Sequence, residues 1–147
     1  EHIENDRRSA ATALSLLRPG GIVVATVPAY QWLYSPRDAH HQHFRRYSKR
    51  RFRSLWELPD CRLLLISHYN SLLFPAAAAT RLASNVLTRS SAIGDISVPP
   101  VLLNKLLARV MSSERHLLAR VQMPFGLSLV GVFGKDVADR RHRRIAA

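Results

Sequence analysis

The chain has 147 residues, 47% of them hydrophobic, so it can bury a core and is not expected to be disordered. Its 22 lysines and arginines outnumber 10 acidic residues, and the formal net charge of +12 favours anionic partners. The single cysteine, Cys61, excludes an internal disulfide and gives no argument for secretion. The uncharged stretch 63–80 is interrupted by Ser67, His68 and Asn70, which argues against a transmembrane helix.

The chain begins with a helix, a glycine turn and a strand. Asn5 or Asp6 can cap a helix through "RRSAATALSLL", in which apolar residues recur at helical spacing. Pro19 and the glycines of "RPGG" end this helix. The run "IVVATV" at 22–27 is apolar without alternation, which is typical of a strand buried on both faces of a parallel sheet. This order of elements predicts an α/β fold.

A loop rich in histidine and arginine follows this strand, "DAHHQHFRRYSKRRF" at 38–52. Open α/β sheets bind ligands beyond the carboxyl ends of their strands, so we expect this loop to belong to a functional site. The residues allow a metal site, a nucleic-acid interface or the rim of an active site. Against a metal, the histidine spacing matches no HExxH pattern, and Arg45 and Arg46 would repel a cation. Against nucleic acid, the loop lacks an RNP, zinc-finger or helix-turn-helix signature.

Two further strands are expected. Ser48 can cap a short helix that turns Phe52, Leu55 and Trp56 inward. The segment "CRLLLISHY" at 61–69 reads as the second strand, and "LSLVGVF" at 127–133 reads as the third.

A helical insertion is expected between these two strands, at about 71–122. One face of its second helix carries a stripe of leucines and valines, and Glu114 interrupts this stripe. A carboxylate that faces a core needs a partner, and Arg81 is the expected candidate. The residues at 136–147 are expected to form a basic, disordered tail.

Five segments follow one another along the chain, and their order carries a resemblance to a known family: "EHIEND", "LRPGGIVVATVPA", "D-x4-H-x-R-R-Y", "YNSLLFP" and "PFGLSL". Together they resemble the C-terminal half of a class I S-adenosylmethionine-dependent methyltransferase of the type 11/12 kind, over residues 1 to about 135. The resemblance implies three strands of a Rossmann-like, doubly wound sheet with a helical insertion before the last strand. The family's glycine-rich loop, which cradles the cofactor, has no counterpart in this chain.

The resemblance implies S-adenosylmethionine-dependent methyl transfer to an unidentified small-molecule acceptor, lipid-like or anionic. Residues 1–135 would form a partial methyltransferase domain that supplies the acceptor side of the site and is inactive alone. The chain opens on Glu1 instead of Met, so we expect it to be cut at its N-terminus. The alternative is a cofactor-free basic module that binds nucleic acid or an acidic membrane.

The resemblance also implies roles for individual residues. Glu1 and His2 match the pair that borders the cofactor pocket. His43 is the candidate general base, because imidazole exchanges protons near neutral pH; the alternative is that it braces the loop. The candidate acceptor-binding residues are Tyr30, Trp32, Asp38, Arg45, Arg46, Tyr47 and Asn70.

Several of these candidates have a structural alternative. Arg45 and Arg46 could fork onto a phosphate or carboxylate of the acceptor, whereas one of them could instead form a buried bridge to Asp38. Tyr47 is expected to pack more than to react, and Asn70 to position a loop. No metal ligand set is assigned.

The insertion and the basic loop suggest partners. The apolar surface of the insertion predicts a lid over a lipid-like acceptor, docked on an anionic membrane, or else a homodimer interface. We expect a cytoplasmic protein that is peripheral at the membrane, and nucleic acid is the less favoured partner.

Overall fold

A computed structural model describes residues 1–87, 100–118 and 120–137, without the side chains at 37 and 81–87. The predicted tail therefore lies outside the described residues from 138 onward. The elements in chain order are α1 (Asp6–Leu16), β1 (Ile22–Pro28), a 3-10 turn (Gln31–Leu33), α2 (Pro36–His40), α3 (Lys49–Leu55), β2 (Cys61–Tyr69), α4 (Phe74–Leu87), α5 (Val101–Leu118) and β3 (Ser128–Lys135).

The three strands form one antiparallel sheet in the order β1-β3-β2. β3 lies in the centre and runs antiparallel to both neighbours, so β1 and β2 point in the same direction on either side of it. The predicted α/β class is confirmed. These strand directions do not match a doubly wound parallel sheet, so that finer part of the prediction is not confirmed.

The prediction that β1 is buried on both faces is wrong. Ile22 is 58% exposed and Val24 is 60% exposed, whereas Val23, Ala25 and Val27 pack against the core. β1 is an edge strand, and only one of its faces is covered by the described residues. A run of apolar residues shows that a strand can be buried on both sides, but the layers around it decide whether it is.

The core lies between the covered face of the sheet and the helices α1 and α3. Trp56 stacks on Phe133 with 4.3 Å between ring centroids, and Phe52 meets the same ring edge-on at 5.9 Å. The predicted helix caps are confirmed: the Asn5 side chain accepts a hydrogen bond from Arg8 N at 3.0 Å, and the Ser48 hydroxyl accepts one from Arg51 N at 3.2 Å. The Ser48 cap begins α3 inside the histidine- and arginine-rich segment, so the last residues of that segment are helical.

The insertion is helical in its described parts, as expected, and joins the sheet through Glu114. This residue is 3% exposed, and its carboxylate accepts hydrogen bonds from the backbone N–H of Asn70 at 2.7 Å and of Ser71 at 2.5 Å. Its partners are thus backbone groups at the end of β2. The side chain of the expected partner, Arg81, lies outside the described residues.

The apolar stripe of α5 is only partly covered. Leu103 is 45% exposed and Leu106 is 57% exposed, whereas Val110 and Leu118, near Glu114, are half-buried. Among the described helices, none has the length and apolar composition that crossing a membrane requires.

Candidate site at one edge of the sheet

The carboxyl ends of β1 and β2 lie on the same side of the sheet, one on each side of the first residues of β3. This edge of the sheet, formed by strand ends, is where the candidate site lies. Ser128, at the start of β3, pairs with Pro28 on one side and with Tyr69 on the other. The loop after β1 and the segment after β2 both begin here. The two regions that the sequence proposes for acceptor binding therefore start from the same edge.

The loop between 30 and 46 is closed by backbone contacts at this edge. Tyr47 N donates to Pro28 O at 2.8 Å, and Tyr30 N donates to Tyr47 O at 2.9 Å. Within the loop, the Tyr34 hydroxyl donates to His43 O at 2.7 Å. The loop is thus held by hydrogen bonds of its own, and its side chains project from a defined backbone.

A buried ion pair organises the loop from inside. Arg46 Nη2 lies 2.6 Å from Asp38 Oδ1, and the two side chains are 5% and 3% exposed. The backbone N–H and hydroxyl of Ser35 both donate to Asp38 Oδ2 at 2.9 Å. Burial by itself would raise the pKa of Asp38, but hydrogen bonds from Arg46 and Ser35 and the charge of Arg46 lower it to about 2. Arg46 thus makes the buried bridge that was the structural alternative to acceptor binding.

The neighbouring Arg45 pairs with a different carboxylate. Its Nη1 lies 2.9 Å from Asp6 Oδ2 and donates to Glu4 O at 2.8 Å. The Tyr47 hydroxyl donates to the same Asp6 oxygen at 3.1 Å. Burial and the nearby Asp6 charge raise the pKa of Tyr47 to about 12, and this side chain is only 1% exposed. Both arginines are engaged with carboxylates, and Tyr47 packs, as expected for it.

The N-terminal residues join this loop at His43. Phe44 N donates to Glu1 O at 2.8 Å, which holds the first residue against the loop. The rings of His2 and His43 lie edge to face, with 4.5 Å between centroids. One ligand atom from each of Glu1, His2 and His43 lies within 4.8 Å of the others. In the part of the chain that the structure describes, these three are the one group of potential metal ligands with this geometry.

The sequence did not reveal this group. Within the loop, Asp38, His40, His41 and His43 are the potential ligands that lie close together in sequence. The resemblance matches Glu1 and His2 to a pair at the border of the cofactor pocket, where some relatives bind a metal, but does not connect His43 with that pair. Local sequence could not predict the group, because it forms only when hydrogen bonds from Phe44 and Arg45 hold the first residues against the loop.

A second cluster at the same edge is aromatic. Tyr30 stacks on His68 at 5.4 Å, lies 5.6 Å from Trp32 and lies 5.5 Å from Phe74, the first residue of α4. Burial lowers the pKa of His68, which favours its neutral ring in this stack. Trp32 is 52% exposed. Tyr30 and Trp32 therefore form a surface on which a planar or apolar group could lie.

Asn70 is placed by its backbone. Its φ is 59°, in the left-handed region that asparagine tolerates better than most residues, and its N–H is held by Glu114. It turns the chain from β2 toward α4.

Comparison with protein-family models, with curated proteins and with solved structures gives no match in any of the three. The resemblance to methyltransferases therefore stays a prediction that rests on the sequence segments.

Proposed function

We propose that this chain forms the acceptor side of an S-adenosylmethionine-dependent methyltransferase, acting on a small aromatic or lipid-like molecule. One observation carries the proposal. The segments "EHIEND" and "D-x4-H-x-R-R-Y" are separated by more than thirty residues, yet they contact each other at the edge where β1 and β2 end. Convergence of segments that resemble one family's motifs is what a shared site requires.

The described residues fit the acceptor side of such a site but not the whole cofactor. No G-x-G sequence occurs anywhere in the chain, so the loop that would cradle S-adenosylmethionine is not among its segments. S-adenosylmethionine would supply the methyl group. The residues here would orient the acceptor and hold its proton, which are the two tasks that an acceptor site performs.

His43 is suited to hold that proton. Its Nδ1 lies 3.2 Å from Asp38 Oδ1, and the low pKa of Asp38 keeps that carboxylate ionised at neutral pH. An ionised carboxylate favours a proton on Nδ1, which leaves Nε2 as the nitrogen that can accept one. Asp38 would then fix the tautomer and the ring orientation.

The charges of the loop favour an apolar acceptor over an anionic one. Arg45 is paired with Asp6 and Arg46 is paired with Asp38, and these ion pairs compete with bidentate binding of an acceptor phosphate. The aromatic surface of Tyr30 and Trp32 suits a ring or an acyl chain instead.

The test uses the gene product at the length found in its source cells. Isothermal titration with S-adenosylmethionine is expected to show saturable binding, and incubation with the methyl-labelled cofactor and a cell extract is expected to give a labelled, solvent-extractable product. The His43→Ala variant should lose at least tenfold in transfer with cofactor affinity unchanged, whereas His41→Ala, a neighbour in the same loop, should behave like the wild type. Absence of cofactor binding by that protein would refute the proposal.

The basic module remains the second candidate because Arg50, Arg51 and Arg53 on α3 are exposed. Binding to an anionic polymer or vesicle that weakens steeply with salt, in a protein with no affinity for S-adenosylmethionine, would favour this candidate.

A further inference from the structure

We propose that Glu1, His2 and His43 bind a divalent transition-metal ion, and that zinc fits the site best. The three residues offer one carboxylate oxygen and two imidazole nitrogens, and these atoms lie within 4.8 Å of one another. Zinc accepts two histidines and one carboxylate, with water or another molecule in the fourth position. Ligand atoms around tetrahedral zinc are about 3.3 Å apart, so side-chain rotations that bring these atoms closer by up to about 1.5 Å would close the site.

The backbone around the three residues is fixed by contacts that need no metal. Phe44 N binds Glu1 O at 2.8 Å, and Arg45 Nη1 binds Glu4 O at 2.8 Å, so the N-terminal residues are attached to the loop that carries His43. The ligands come from segments about forty residues apart in sequence, and these hydrogen bonds hold the two segments together.

His43 also has the partner that a metal-binding histidine usually has. Its Nδ1 is 3.2 Å from Asp38 Oδ1, and Asp38 is itself held by Arg46 and Ser35. This arrangement leaves Nε2 as the ligand atom and fixes the direction in which it points. A carboxylate behind a ligating histidine orients the ring and increases its basicity.

The arginines of the loop do not oppose a cation here. The sequence argument against a metal was repulsion by Arg45 and Arg46, but Arg45 lies 2.9 Å from Asp6 and Arg46 lies 2.6 Å from Asp38. Each of the two guanidinium groups therefore faces a carboxylate, although Asp6 also pairs with Arg51 at 3.2 Å. The side chains of Glu1 and His43 are 25% and 18% exposed, which leaves access for the ion and for a further ligand.

This proposal does not depend on methyl transfer, because metal binding needs no cofactor. A bound ion would occupy His43 Nε2, the same nitrogen that is proposed to accept the proton in methyl transfer, so the general-base role belongs to the metal-free form.

The test is titration of the metal-stripped, full-length chain with zinc chloride by calorimetry, at neutral pH. We expect one zinc per chain, and cobalt substitution should give the visible absorption of a four-coordinate site. His43→Ala and Glu1→Gln should each weaken zinc binding at least tenfold. The exposed neighbours provide matched controls, and His40→Ala and His41→Ala should each stay within about twofold of the wild type.

Three outcomes would overturn the proposal: no saturable zinc binding, equal affinity in Glu1→Gln and the wild type, or loss of binding through His40 or His41. The last result would mean capture of zinc by surface histidines. Near-UV circular dichroism of each variant verifies the fold, and the Glu1 variant serves as a second test because its side chain is not in the core. Zinc binding without any affinity for S-adenosylmethionine would keep this proposal and refute methyl transfer.

Discussion

Replacing Asp38 by asparagine should destabilise the protein, because the buried carboxylate neutralises Arg46. Asp38 has a pKa of about 2 in the fold against an ordinary value of 3.8, so its ionisation contributes about 2 kcal/mol of stability at neutral pH. Asparagine keeps the shape but leaves Arg46, which is 5% exposed, without its counter-charge. Breaking a buried pair from one side costs about 3–5 kcal/mol. We expect Asp38→Asn to lose about 3 kcal/mol.

The loss should depend on pH in a defined direction. The folded-state pKa of Asp38 lies below its unfolded value, so the stabilisation is complete above about pH 5 and is lost as pH falls toward 2. The difference between wild type and Asp38→Asn should therefore shrink over this window.

Urea unfolding followed by the fluorescence of Trp56, which stacks on Phe133, measures both effects. The control is Asp136→Asn, whose carboxylate is 50% exposed and 3.7 Å from Arg62, and which should change stability by less than about 0.5 kcal/mol. A deficit for Asp38→Asn no larger than the control's, or one that stays constant from pH 5 to pH 2, would show that the buried pair does not stabilise the loop.

Two substitutions at the other end of the site test the junction of β2 with the insertion. Gly126→Ala places a Cβ against the backbone oxygen of Tyr69 and should lower the free energy of unfolding by about 2 kcal/mol. At Gly134 the nearest atoms to an added Cβ belong to flexible side chains, so Gly134→Ala should lower it less. Differential scanning calorimetry compares the Tm values of the two variants. Glu114→Gln removes a charge that accepts two backbone N–H bonds and should cost about 1–2 kcal/mol in urea unfolding. Glu57→Gln on the surface is its control, and equal losses in the two would contradict the role of Glu114 as an anchor.

Local signals in the sequence were sufficient for most elements of the fold. A cap residue followed by helical spacing predicted α1 and α3, because capping and side-chain periodicity act within a few residues. Apolar, β-branched runs bounded by turn residues located the three strands to within a residue or two. Helical spacing also placed Glu114 facing inward, since a single carboxylate in an apolar stripe is visible in the sequence.

Pairing between distant segments was not predictable in this way. The apolar run of β1 suggested a central parallel strand, yet β3 pairs with it from more than a hundred residues away and leaves β1 at the edge. Strand direction and order depend on contacts that have no local signature, so composition could indicate an α/β fold but not its topology.

Local sequence is enough to predict the helices, the strands and the residue types that can do chemistry at the loop: histidines, carboxylates and arginines close together. The partners of these side chains depend on the three-dimensional fold. It assigned Arg46 to Asp38 and Arg45 to Asp6, and it brought Glu1 to His43. The physical reason is that ion pairs and ligand sets form across space, whereas the sequence orders residues along the chain. Arg45 and Arg46 would repel a nearby cation if they were unpaired, and their pairing with Asp6 and Asp38 weakens that repulsion.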